Sequence, residues 1–245
     1  LTTAQVAALA DTQIAALSTT QVGAMTTTQL RGLSAAQLAG LGADQFDALS
    51  TGQIAALATT ALAGLSATRL AGLSTTRIAA LTTTQLGALA DTQIAALTAG
   101  QLGALSTTQA AALSTGGLDG LTATQIAGLS ATQITNLTAA QVASLDETQL
   151  AALSTTQVAA LSTTALRSID ATRAGALSAA QMAALSTSQI GALSATAVSG
   201  LTSTEIAALS TTQLAALAAS QIAGLGSTQA GALTSTQVAT LSTTQ

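Results

Sequence analysis

Apolar residues fall along this chain with one fixed spacing. Leu recurs at positions 1, 9, 17 and 33 and onward to 241, always eight residues apart, and only Met25 and Ile169 replace it. A second apolar residue follows each Leu five positions later, as in Leu121 with Ile126, Leu153 with Val158 and Leu209 with Leu214. Polar residues occupy the places between. Numbering the octad from its Leu, position 2 is Ser, Thr or Asp in 25 of 31 units, and position 5 is Gln in 23 of 31. Positions 7 and 8 are mostly Ala or Gly. The consensus is Leu-Ser-Thr-Thr-Gln-Ile/Val-Ala-Ala, and Leu153–Ala160 is one copy.

A period of eight excludes one long helix, because eight steps of about 100° turn the apolar stripe by about 80° per unit. A simple strand fails too, since positions 1 and 6 differ in parity and would face opposite sides. A short capped helix satisfies every position. Ser, Thr or Asp at position 2 and Gln at position 5 have the capping-box spacing, as in Ser154 with Gln157 and Ser210 with Gln213. Leu at position 1 and the aliphatic residue at position 6 are then the N′ and N4 residues of a hydrophobic staple. The pattern predicts one helix of about six residues per octad, ended by the next cap.

Positions 6 and 1 of successive octads share a face, so Leu121, Ile126, Leu153, Val158, Leu209 and Leu214 are expected in the core. Position 4 is expected to be the most exposed. The 14 charged residues agree with this: none lies at position 1, 6 or 8. The small residues at position 8 suggest close approach of a neighbouring helix.

A helix of six residues is far below the ~12–15 at which isolated helices become marginal, so stability must come from neighbouring octads. The expected fold is all-α, a solenoid of very short capped helices. Odd and even octads do not differ, so the pattern does not fix how many octads make a coil. A β-solenoid, with a strand and turn per octad, is the alternative. The repeat is uninterrupted over 1–245, since 245 = 30 × 8 + 5, and it reads as a single array cut from a longer chain.

Composition narrows function. There is no His, Cys or Lys, and Phe46 is the sole aromatic residue. These absences remove imidazole bases, thiol nucleophiles, thiolate or His metal sites and lysine Schiff bases, so no cofactor and no enzymatic role is expected. Five Arg against nine acidic residues make no basic patch for nucleic acid. Polar residues interrupt the apolar runs well short of the ~20 needed to span a bilayer.

Few local clusters carry chemistry. Arg69 and Arg77 at position 5 of adjacent octads could clamp a carboxylate or phosphate. Arg cannot supply the capping-box acceptor, however, so those units should be weaker, whereas Glu205 keeps it. Asp44 with Asp47, and Asp146 with Glu147, are the tight acidic pairs, and Asp146 is already explained as a helix cap. Asn136-Leu137-Thr138 has the form of a glycosylation sequon. The regularly spaced Thr and Ser form the one repeated surface feature.

Units such as Leu1–Ala8 (LTTAQVAA) and Leu121–Gly128 (LTATQIAG) resemble the octapeptide arrays of very large secreted bacterial surface proteins, including adhesin-like and RTX-associated chains. The resemblance covers the whole chain. It implies an extracellular or cell-surface structural role, as a rod, fibre, sheath or surface-layer segment, with self-association or neighbouring repeats end to end as partners. The calcium-binding repeat of RTX proteins is missing, so calcium is not implied. The alternative is a binding module whose Thr-rich face meets ice, glycan or another surface.

Overall fold

The computed structural model describes residues 1–245. It is all-helical, with 30 helices of four to six residues, from α1 (Thr3–Ala7) to α30 (Ser235–Val238). The octad dictates each one. In α20 (Thr155–Ala159) the Gln157 N–H donates to Ser154 Oγ at 3.2 Å, and the Ser154 N–H donates to Gln157 Oε1 at 2.7 Å. Two of the amide donors that a helix start leaves free are thereby satisfied.

The turns need no special residue. The Leu at position 1 donates its N–H to the position-6 carbonyl behind it, as Leu153 does to Leu150 at 3.2 Å. Where a helix runs its full six residues, the Leu itself turns extended, as at Leu185 (φ −70°, ψ 140°). No residue in the chain has positive φ. The connection is therefore one Leu and one cap residue in ordinary β conformation, which accounts for a chain that turns every eight residues without proline.

The chain forms two compact units, Leu1–Leu121 and Thr122–Gln245. Within each, a helix packs against the helix three octads away. A coil is therefore built of three octads. Each octad contributes its position-1 and position-6 side chains to the interior of the coil. The bonds between coils join residues 23 to 31 apart. Thr3 Oγ1 donates to the Thr28 carbonyl 25 residues on, and Ser168 Oγ donates to the Ala139 carbonyl 29 residues back.

Position 1 and position 6 make up the core. Leu121, Ile126, Leu153, Val158, Leu209 and Leu214 are all buried, as is Phe46 at position 6. Position 4 is exposed in every octad, and the charged residues at position 7 (Arg31, Asp47, Asp119 and Arg167) face outward. Small residues at position 8 allow close stacking. A Cβ on Gly64 would overlap Ala35 of the coil below, and one on Gly200 would overlap the backbone of Ala171.

Candidate functional site

The residue that joins coil to coil is the position-5 glutamine. It reads from sequence as a capping residue, and the structure buries most copies of it. Gln37, Gln101, Gln149 and Gln181 are each 3 % exposed or less. Its two amide atoms work in opposite directions. Oε1 closes the capping box of its own helix, while Nε2 donates to backbone carbonyls of the coil below. Gln181 Nε2 reaches Leu153 O at 2.7 Å, Leu150 O at 3.0 Å and Ala151 O at 3.3 Å. Gln85, Gln93, Gln101, Gln213 and Gln237 repeat the arrangement, always 28, 30 and 31 residues back. These carbonyls lie at the C-terminal end of a helix and the turn after it: the position-1 carbonyl accepts no backbone hydrogen bond, and the position-6 carbonyl, already bonded to the next Leu N–H, accepts a second. Gln157 and Gln213, singled out for capping, both belong to this ladder.

A signal for it was present in the sequence. A capping box accepts Glu as readily as Gln, yet position 5 is Gln in 23 units and Glu in one. Only the amide carries a donor beside its acceptor.

The three arginines at position 5 sort the two roles apart. In α9 (Ala67–Ala71), α10 (Thr75–Ala79) and α22 (Ala171–Ala174) the hydroxyl or carboxylate cap survives, but there is no reciprocal bond from position 5. The guanidinium keeps the other half. Arg69 Nη2 donates to Leu41 O, Arg77 Nη2 to Asp47 O, and Arg173 Nε to Leu145 O at 2.7 Å. Arg69 and Arg77 are thus occupied in coil stacking. Their surroundings are nonetheless distinct. Arg69 lies over the Phe46 ring, 5.7 Å from its centroid, within cation–π range. Arg77 Nε stands 4.0 Å from Asp47 Oδ1. The Nε of both arginines is buried without an acceptor. A groove of about 340 Å³ opens beside Arg69, lined by Ala43, Asp47, Ser66, Thr68 and Gly72.

Where position 5 is Ala or Gly, other contacts fill in. Ser168 Oγ supplies a bond across coils in the octad of Ala165. Ile94 packs so closely on Gly117 that a Cβ there would meet its Cδ1 at 2.6 Å. Ser114 Oγ donates to Asp91 Oδ1 at 2.6 Å between coils.

The acidic pairs gather no third carboxylate into a cluster. Asp146 caps its helix through the Gln149 N–H at 2.7 Å. Asp170 does the same for Arg173, whose backbone N–H, with help from the guanidinium 2.5 Å away, holds the carboxyl below the usual range. Asn136 is exposed and donates Nδ2 to Thr132 O at 2.9 Å, while Thr138 of the same sequon caps the next helix.

Fold and ladder together define a helical repeat protein of the solenoid class, with the octapeptide as its unit. At the level of sequence families, the model of the ALTTAQ repeat matches residues 1–27, 22–59 and 206–243, and the chain is similar to that family over these segments. No curated protein matches the chain. No helix is long and apolar enough to cross a membrane.

Proposed function

We propose that the chain is a non-enzymatic structural array, a segment of an extracellular fibre, sheath or surface layer of a bacterial cell. The observation that carries this reading is the ladder. The consensus polar residues at positions 2 and 5 are consumed in holding the backbone, position 2 within the helix and position 5 between coils. Such a unit is fitted to transmit load and to be repeated, and its conserved chemistry is committed to cohesion. The partners are further octads or further copies of the chain, stacked through the same bonds. Electron microscopy of the purified protein tests the reading. Filaments or end-to-end assemblies are expected, and discrete globular particles at every concentration would overturn it.

One observation favours a second reading, a binding module for ice, glycan or another surface. Position 4 is exposed without exception, and it is most often Thr. Thermal-hysteresis and glycan-array measurements separate this reading from the first, because a purely structural array gives no signal in either.

A further inference from the structure

Glu205 is the one carboxylate in the position-5 ladder, and its residue is 5 % exposed. It lies in α26 (Ser203–Ala208) and closes the capping box as glutamine does. The Thr202 N–H donates to its Oε2 at 2.6 Å, and its own N–H donates to Thr202 Oγ1 at 3.3 Å. The octad is gripped normally from the next coil, where Gln237 Nε2 donates to Ile206 O, Ala207 O and Leu209 O. The grip in the other direction is where the chemistry changes. Counting back 28, 30 and 31 residues, as for every ladder glutamine, gives the carbonyls of Leu177, Gly175 and Ala174. Leu177 is 1 % exposed, and its carbonyl accepts no backbone hydrogen bond.

A carboxylate in that register offers these carbonyls no donor, and Glu205 makes its side-chain hydrogen bond to Thr202 alone. Nothing cationic is available to bridge the gap. The helices packed on α26 are α23 (Ala179–Ala184) and α29 (Ser227–Gly231), and neither holds a charged residue. The adjacent octads, with helices Ala195–Gly200 and Thr211–Ala215, hold none either. Arg173, on the helix that ends at Ala174, is committed to Asp170 and to the Leu145 carbonyl.

We propose that Glu205 makes the contact between coils only as the neutral acid, its O–H then donating to the Leu177 carbonyl in place of the glutamine amide, so that this one contact is pH-sensitive. Burial pushes the Glu205 carboxyl up, against the opposing pull of the Thr202 N–H and hydroxyl. A carboxyl raised on folding binds its proton more tightly in the folded chain. Its contribution is fully present below the ordinary unfolded value and is lost as pH rises through the folded one.

Two measurements on the full chain test this. Glu147 and Glu205 are the only glutamates, so ¹³C labelling of Glu carboxyls gives two signals, assigned with E147Q. The Glu205 signal should titrate at higher pH in the folded protein than in urea. The urea midpoint of the wild type should fall relative to that of Glu205→Gln as pH rises, and the two should converge at low pH. Glu205→Gln restores the consensus residue and is therefore expected to fold. A carboxyl that titrates at or below its unfolded value, or a wild-type-to-variant gap that does not change with pH, would overturn the proposal.

Discussion

The position-5 side chain has two separable duties, and substitution can remove them one at a time. Gln157→Ala deletes the box acceptor and also the bonds to Ala127 O and Leu129 O, leaving the buried Leu129 carbonyl without a donor, at a cost of about 1–3 kcal/mol. Gln157→Arg should cost less, because Arg173 shows that a guanidinium can still reach the coil below. Urea titration should rank wild type above Arg and Arg above Ala. An Ala variant as stable as the Arg variant would mean that the bonds between coils contribute nothing. The apolar position behaves differently. Leu153→Ala should cost about 2–5 kcal/mol, whereas Thr156→Ala, at the exposed position 4 of the same octad, should stay within about 0.5 kcal/mol. What sequence could tell at this scale was which atoms cap a helix, since that is local chemistry three residues wide. The second duty of Gln157 depends on what lies 28 residues away, and no local spacing encodes it.

Each helix is too short to exist for its own sake, so its ends matter more than its middle. Ser154→Ala should cost about 1 kcal/mol, the ordinary loss of an N-cap, measured by the same urea midpoint. Six caps are already Ala or Gly. Five of them, such as Ala10 and Ala218, keep the glutamine half of the box. The sixth, Ala58, faces Ala61 and has neither half. Close approach between helices is the other constraint. Gly200→Ala would push a methyl into the backbone of Ala171 and should part α22 from α25 (Ala195–Gly200), with faster amide hydrogen exchange in both, whereas Gly52→Ala meets no neighbouring atom and should leave exchange unchanged. Helix existence, boundaries and buried face were legible from the octad, because staple, cap and charge pattern agree. The small residues at position 8 were legible as tight packing, but not the identity of the partner helix.

At the scale of the whole molecule, the number of octads per coil escaped the sequence for a simple reason. All octads are nearly alike, so the pattern has a period of eight and no longer period to report. Three per coil is set by which helices pack together, α2 (Asp11–Ala15) on α5 (Ala35–Gly40) and α20 on α23, and that pairing has no mark in the octad. The same likeness makes stability a sum of neighbour terms. A Leu153→Ala lesion should therefore raise hydrogen exchange in its own octad and in those three away within Thr122–Gln245, with protection recovering beyond them. Uniform loss of protection throughout that unit would instead indicate one cooperative core.

Near-identity of the octads also creates an ambiguity of alignment. A coil displaced by eight residues sets Leu on Leu and Gln on carbonyl almost as before, so the regular octads barely distinguish the right stacking from its neighbours. The irregular residues do distinguish them. Arg69 finds an aromatic ring only over Phe46, Ile94 finds a side-chain-free seat only at Gly117, and the backbone of Ala171 can be approached so closely only by a residue like Gly200. Departures from consensus that look like wear in the repeat thus serve as alignment marks. A chain corrected to perfect consensus would keep its bonds and lose its means of choosing among slipped pairings.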